Sequence, residues 1–498
     1  MKRKPTAKSG TFGNPGANAA PASKPLPKLT FSGGTLVLEG VDRDELCRVF
    51  PSTPWVWDPR VEAWRCDARE YASVAAQLAA APKGTTYNLC EAEDRVPAWE
   101  PVRWPRVNIH PLRPEQQAAL EAWTVARQGI VVMPTGTGKT EVALSIMAQT
   151  AVSTLVVAPV RDLMYQWHRR ILEGLGYDAG IIGDGAFRVR PVSATTYDSA
   201  CIHTERLGNR FGLVVFDECH HLPGPLWRDA ARMSAAPMRL GLTATPERSD
   251  GRHADLGWLI GPVVYEMPLS AARGRTLAEY QVVRIPVHLS AEEQARYDDS
   301  SRAVRAYFAA QRKVDPQLTW QDICRQTAST PDARRAMRAY FAKKSIEDRA
   351  EEKLRVLEDL FRLHVGEPCL VFAGSNAMAR DVSRRFLVPC LLNHCGKQER
   401  LEVLRGLADG TCPALVANQV LDEGVDLPEV KVAVVIGGTA SSRQAKQRLG
   451  RILRKSGNAQ AVLYEIVCAE TNEEGRSRRR RTSDAYHGTR HRRPGKRP

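Results

Sequence analysis

No apolar run in this 498-residue chain approaches the roughly 20 residues that a membrane-spanning helix needs, so no such span is expected. The first residues are basic but lack the apolar segment of a secretory signal, so export is not expected either. Eleven cysteines are present, yet none stands in the paired spacing of a zinc site. The nearest approach, Cys390 to Cys395 with His394 between, lacks a second ligand pair, and the thiols read as those of a reduced, cytosolic protein. The body of the chain also lacks net charge. The formal +15 sits almost wholly in the two tails, +6 over residues 1–29 and +7 over 471–498. Basic tails of this kind hold nucleic acid loosely or keep a protein soluble, so the pI carries no argument about the core.

A composition of 43% hydrophobic and 26% charged residues is that of an ordinary globular chain, and the length calls for several domains. Residues 1–30, rich in Gly, Pro, Ala and Lys, cannot bury a core. Residues 31–108 carry five clustered tryptophans (Trp55, Trp57, Trp64, Trp99, Trp104), expected mainly as the core of a small domain. There Thr35–Leu38 alternates as a strand and 69–81 has the pattern of a helix. From Leu112 onward, short β-branched runs alternate with helical stretches, the pattern of a parallel α/β sheet. The alternation breaks at 290–350, a charged helical insertion, and resumes at Cys369–Ala373, Ala414–Ala417 and Val432–Ile436.

Two motifs carry chemistry. The first follows the apolar run Gly129–Val132 and reads Met133-Pro-Thr135-Gly136-Thr137-Gly138-Lys139-Thr140. Its glycines let the backbone wrap a phosphate with N–H groups pointing inward at a helix start. Lys139 is expected on the β- and γ-phosphates and Thr140 on Mg²⁺. Met133 stands where the strict pattern has Gly, so the match is to a looser form. The second motif follows Leu213–Phe216: Asp217 is expected to hold Mg²⁺ and Glu218 to polarise the attacking water. Together they describe binding and hydrolysis of ATP. In the second half, Gln447 to Arg454 places Arg448, Arg451 and Arg454 three residues apart on a helix. Arg451 and Arg454 are expected to reach the γ-phosphate held by the first half, a contribution of about 10³–10⁵ in rate.

These motifs resemble those of superfamily 2 helicases over nearly all of residues 112–470, and within them the XPB type. The residues behind the closer resemblance are SATTYDSA from Ser193, DECHHLP from Asp217, RLGLTATPERSDGRH from Arg239, QVLDEGVDLP from Gln419 and QRLGRILR from Gln447. The resemblance implies an adenine-reading segment with Arg113 and Gln116, and a backbone-contacting segment with Pro159 and Gln166. It implies coupling of hydrolysis to strand handling through Thr243 and Thr245, and nucleotide contacts from Asp426 and Arg448 beside those of Thr135, Gly136, Thr137 and Gly138. Arg248 and Asp250 match an Arg-Glu-Asp strand-separating wedge, but Ser249 replaces its Glu. That departure bears on duplex opening and not on ATP turnover.

The implied fold is α/β, two RecA-like parallel-sheet domains in tandem. The expected boundaries are a basic tail at 1–30, a damage-recognition-like domain at 31–108, an ATP-binding domain at 109–274, a second RecA-like domain at 275–470 with a thumb-like insertion at 290–350, and a disordered basic tail at 471–498. The implied function is an ATP- and Mg²⁺-dependent 3′→5′ DNA helicase in DNA repair. Single-stranded and forked duplex DNA are the expected partners, with room for a repair nuclease, and the expected place is the cytoplasm, on the nucleoid. Ser249 keeps open a duplex translocase without efficient unwinding, and an RNA helicase is the other alternative, since DNA and RNA are both held mainly by backbone contacts.

Overall fold

A computed structural model describes residues 26–81, 89–248, 250–268, 271, 280–317, 319–392, 394–418, 430–437 and 461–480. Among them are three sheets. The first is formed by Lys28–Ser32 (β1), Thr35–Glu39 (β2), Val56–Asp58 (β3), Ala63–Asp67 (β4) and Glu93–Asp94 (β5), in the order β3-β4-β2-β1-β5. Tyr71–Ala79 is the helix behind it, closing a core of Leu29, Leu36, Leu38, Leu46, Phe50, Tyr71 and Val74. The first strand starts at Lys28, inside the stretch expected as tail.

The tryptophans divide. Trp55 and Trp64 pack on this core, Trp57 is 45% exposed, and Trp104 lies against the next domain, edge-on to Tyr177 at 5.9 Å. Residues 98–108 already run along that domain: Val102 N donates to Ala151 O at 2.8 Å and Asn108 N to Gly174 O at 2.7 Å.

The second sheet carries the first motifs. Its strands are Gln128–Val132 (β6), Thr154–Ala158 (β7), Gly180–Gly183 (β8), Ala186–Arg188 (β9), Val192–Thr196 (β10), Leu213–Asp217 (β11), Met238–Thr243 (β12) and Val263–Glu266 (β13). The order is β13-β6-β12-β11-β7-β10-β8-β9, parallel except for the β8–β9 hairpin. Both faces are covered by helices, which is why β7 (TLVVA) is buried at every residue instead of alternating. Each fully buried Val or Leu of such a strand contributes about 1.5–3 kcal/mol, so a charge placed at Val215 would break the sheet from its centre. Register brings the carboxyl ends together: Thr243 pairs with Val132, and Asp217 with Leu242.

The third sheet comprises Tyr280–Val287 (β14), Cys369–Ala373 (β15), Cys390–Leu391 (β16), Ala414–Ala417 (β17), Val432–Ile436 (β18) and Ala461–Cys468 (β19). It is all parallel, ordered β14-β19-β18-β15-β17-β16. Between β14 and β15 stand the helices Ala291–Val314, Trp320–Gln326 and Pro331–Asp348, then Glu351–Leu363, which packs on the sheet. Ser290 and Glu293 form a capping box that starts the first of them.

The stretch expected as a disordered tail from 471 needs correction, because Asn472–Arg480 is a docked helix. Its Glu473 is fully buried and accepts from Lys353 Nζ at 2.7 Å, while Arg476 reaches Glu347 at 2.5 Å and Ser477 Oγ donates to Glu465 at 2.8 Å. Tyr297 OH also donates to Glu347, at 3.0 Å, tying the helical insertion into the same network. A charge count could not show this, since the acids that hold the helix lie in or far before the basic run.

Candidate nucleotide site

β6 ends in the phosphate loop. Gly136 and Gly138 have φ of 83° and 81°, a left-handed conformation that glycine adopts without steric cost. At Gly138 a Cβ would lie 2.2 Å from Gln116 Nε2, so a side chain there would displace Gln116 and strain the left-handed backbone. The helix Lys139–Thr150 follows directly, aiming its first N–H groups at the loop's concave side. Thr137 Oγ1 donates to Pro134 O at 2.7 Å and Lys139 Nζ to Met133 O at 3.1 Å, so the loop is braced from within. Thr135 and Thr140 are half-buried in and just after it.

Gln116 is buried and its amide is fully engaged. Its Oε1 accepts from Arg113 N at 2.9 Å, and Nε2 donates to Thr137 O at 3.0 Å and Gly138 O at 3.2 Å. Arg113 also donates to Thr137 O. The pair expected to read adenine therefore shapes the phosphate loop in this conformation.

Asp217 ends β11, which β12 separates from β6. Its Oδ2 accepts from Trp167 Nε1 at 2.8 Å, and its Oδ1 from the Glu218 N–H at 3.0 Å. Burial, then the charge of Glu218, push its pKa up to about 6; the Trp167 bond pulls the other way. Glu218 has φ of 45°, an uncommon conformation for a residue with a side chain and one that gathers at functional sites. Its Oε2 is buried with no hydrogen-bond partner, 3.4 Å from His220 Nδ1. A buried carboxylate oxygen without a hydrogen-bond partner, next in sequence to an Asp217 that feels the Lys139 charge, fits a site that receives a water and a phosphate chain.

Behind it, fully buried His220 shares a 3.0 Å hydrogen bond through Nδ1 with Thr243 Oγ1. Thr243 Oγ1 also donates to Thr245 O at 3.0 Å and accepts from Thr245 N at 3.1 Å, and Thr243 O accepts from Met133 N at 3.0 Å. Thr243 thus touches the start of the phosphate loop and the acidic motif together. Arg248 extends the chain of contacts: Nη1 donates to His220 O at 2.7 Å, and the guanidinium forms a two-bond pair with Asp250 at 2.9 and 2.7 Å.

Pro159 follows β7, and Gln166 lies half-buried on the helix Arg161–Leu175 beginning there. Trp167 and His220 are the participants that motif reading missed as nucleotide-site residues. Met164, Trp167, Ile171 and Leu175 are all buried, a helical spacing that assigns Trp167 to the inner face and separates it from Gln166. Asp426, Arg448, Arg451, Arg454 and Ser249 lie outside the described residues.

Residues 109–248 match the family described as type III restriction enzyme, res subunit, and 352–456 the helicase conserved C-terminal domain. Residues 29–83 match the xeroderma pigmentosum group B helicase damage recognition domain. Over 371 residues the chain is 38% identical to the DNA 3'-5' translocase XPB2 of Sulfurisphaera tokodaii, covering 74% of this chain and 84% of that one. The chain belongs to the XPB-type helicases of superfamily 2. A second XPB-type relative, the DNA 3'-5' helicase XPB of Kineococcus radiotolerans, is 30% identical over 73% of this chain and 61% of its own length. That of Mycobacterium tuberculosis is 28% identical over 72% of this chain, and the match again spans 61% of the relative. In fold, the XPB-type chain resembles the Hef helicase domain of Pyrococcus furiosus, with a TM-score of 0.50 at 15% identity over 72% of this chain and 97% of that one. The tandem RecA-like fold is thereby shown. No helix among the described residues is long and apolar enough to cross a membrane.

Proposed function

We propose that this chain is an ATP-driven motor that moves 3′→5′ on DNA and separates its strands, in DNA repair. The observation that carries the reading is Glu218 Oε2, buried without a hydrogen-bond partner against His220, which Thr243 ties to the start of the phosphate loop and whose carbonyl accepts from Arg248. The names of the relatives, DNA 3'-5' translocase and DNA 3'-5' helicase, support the substrate and polarity.

Mg²⁺-ATP supplies the phosphoanhydride bond whose hydrolysis drives the motor. The N–H groups around Thr135–Gly138 and the first turn after them hold the phosphates, and Lys139 balances their charge. Thr140 and Asp217 hold the metal, with Trp167 fixing the orientation of the Asp217 carboxylate. Glu218 accepts the proton of the attacking water, and His220 limits where that carboxylate can point. Arg113, Gln116, Asp426 and Arg448 belong to the nucleotide's surroundings, and Arg451 and Arg454 complete the site from the second domain. Pro159 and Gln166 contact the DNA backbone, Thr243 and Thr245 relay the state of the site, and Arg248 and Asp250 stand at the point of strand separation. Single-stranded and forked duplex DNA are the partners, a repair nuclease is the protein that such a motor would serve, and the nucleoid is its place in the cell.

The test is steady-state hydrolysis at one stated salt concentration with no polymer, single-stranded DNA, duplex DNA and single-stranded RNA. Strong stimulation by DNA and not by RNA is expected; equal stimulation by RNA refutes the DNA assignment, and no hydrolysis under any condition refutes the motor.

A further inference from the structure

Glu218 holds a left-handed backbone, with φ of 45° and ψ of 52°. A residue with a side chain stays there only where its surroundings fix the peptides on either side. The peptide after it is fixed by the short turn Cys219–His221, in which Glu218 O accepts from His221 N at 3.1 Å. The peptide before it, joining Asp217 to Glu218, is held at both of its polar groups. Its N–H donates to Asp217 Oδ1 at 3.0 Å, and its carbonyl accepts from Tyr197 OH at 3.0 Å. The orientation of that peptide sets φ of Glu218, and with it the direction in which the side chain leaves the backbone.

Tyr197 comes to that carbonyl from a strand that is not its neighbour. It follows β10 and opens the helix Tyr197–Leu207, whose N-cap Thr196 accepts from Ser199 N. In the sheet β7 stands between β10 and β11, so the bond ties together strands that share no ladder. The Tyr197 ring is fully buried and stacks on two others. Phe216 lies 6.4 Å away between ring centres with planes at 18°, and Trp227 lies 5.5 Å away at 28°. Trp227 is fixed in turn by Nε1 donating to Asp198 Oδ1 at 2.7 Å, and His221 meets it edge-on at 5.5 Å. A buried phenol needs an acceptor for its O–H. Here the acceptor is the backbone between the two acids of the hydrolytic motif.

We propose that Tyr197 is a positioning residue for ATP hydrolysis, holding the Asp217–Glu218 peptide so that the Glu218 carboxylate stays aimed at the attacking water. This role rests on the reading of the chain as an ATP-driven motor. Glu218 Oε2 is buried without a hydrogen-bond partner, so no bond to that oxygen fixes it from the side-chain end. Its place is decided at the backbone, where Tyr197 supplies a bond from outside the acidic motif. Without the hydroxyl, the peptide turns, Glu218 relaxes to negative φ, and the carboxylate leaves the water. The rate then falls with the fraction of molecules that keep the productive arrangement. Tyr197 bonds the backbone of Asp217 and leaves its carboxylate to Trp167, so ATP binding is spared.

The experiment compares Tyr197→Phe with the wild type as full chains, in single-turnover hydrolysis with single-stranded DNA and saturating Mg²⁺. The substitution keeps the stacked ring and removes only the hydroxyl. Hydrolysis is expected to slow roughly 3- to 10-fold, the factor that one neutral hydrogen bond commands. Affinity for ATP, measured on the same chains, should be unchanged, which also shows the fold intact. In a Glu218→Gln chain the same substitution should slow hydrolysis no further, because the group it positions is already gone. An unchanged rate in Tyr197→Phe, an equal slowing in the Glu218→Gln background, or weakened ATP binding overturns the assignment. The wild type tests the motor reading separately. Hydrolysis by the wild type beside an unaffected Tyr197→Phe sinks the positioning role alone, and a wild type that hydrolyses no ATP removes both.

Discussion

Trp167→Phe tests the assignment of the metal-holding carboxylate most directly. The substitution keeps an aromatic ring in a buried position and removes the N–H that donates to Asp217 Oδ2 at 2.8 Å. A hydrogen bond to a charged acceptor contributes about 1.5–3 kcal/mol, and loss of such an outer partner commonly costs about 10–100-fold in metal affinity. The Mg²⁺ concentration for half-maximal hydrolysis should therefore rise roughly tenfold or more. The pH dependence should move as well. Burial and Glu218 already push Asp217 up to about 6, and the Trp167 bond opposes them, so the variant's carboxyl is raised further and the acid limb of hydrolysis shifts to higher pH. For the metal-free fold the sign is opposite: a carboxyl raised above its ordinary 3.8 stabilises the fold most below that value, and the contribution is lost as pH rises through about 6. Stabilisation by added Mg²⁺ and nucleotide should accordingly be greater at pH 8 than at pH 5. The assays are a Mg²⁺ titration of hydrolysis at several pH values, and nucleotide binding with and without EDTA. An unchanged Mg²⁺ requirement refutes the reasoning, as does an equal loss of nucleotide binding in EDTA, which would mark damage to packing.

Glu218→Gln should bind ATP but hydrolyse it about 10²–10⁴-fold more slowly, the range of a lost general base, as measured by single-turnover hydrolysis beside nucleotide binding. Ser249→Glu should raise strand displacement without changing ATP turnover; equal displacement by both proteins ends that idea. Lys353→Met leaves Glu473 buried without its partner and should cost about 3–5 kcal/mol, read by denaturant unfolding, whereas Lys353→Met with Glu473→Leu should recover most of it.

The phosphate loop and acidic motif were legible because their chemistry is local: a strand, a turn that needs glycine, and a helix start lie within about a dozen residues. The parallel sheets were legible for a similar reason, since strands covered on both faces read as unbroken apolar runs. What was hidden depends on contacts between distant segments. Trp167 and Asp217 stand 50 residues apart, and only the packing of one helix on the sheet brings indole to carboxylate. Gln116 reads as an adenine contact by its place in a motif, but its carbonyl partners on the loop are a matter of tertiary geometry. Spacing alone cannot tell that Trp104 leaves the small domain's tryptophan cluster for the next domain.

The docked helix Asn472–Arg480 decides where this protein can be shortened. A chain ended at residue 470 keeps every helicase motif, yet it leaves the Lys353 ammonium buried without Glu473 and removes the Arg476 contact to the Glu347 carboxylate. Isolated charges in that setting are costly enough to loosen the joint between the helical insertion and β19. The smallest stable motor thus ends past the last recognisable motif, and a tag, fusion or protease site belongs beyond residue 480, outside the ionic clasp.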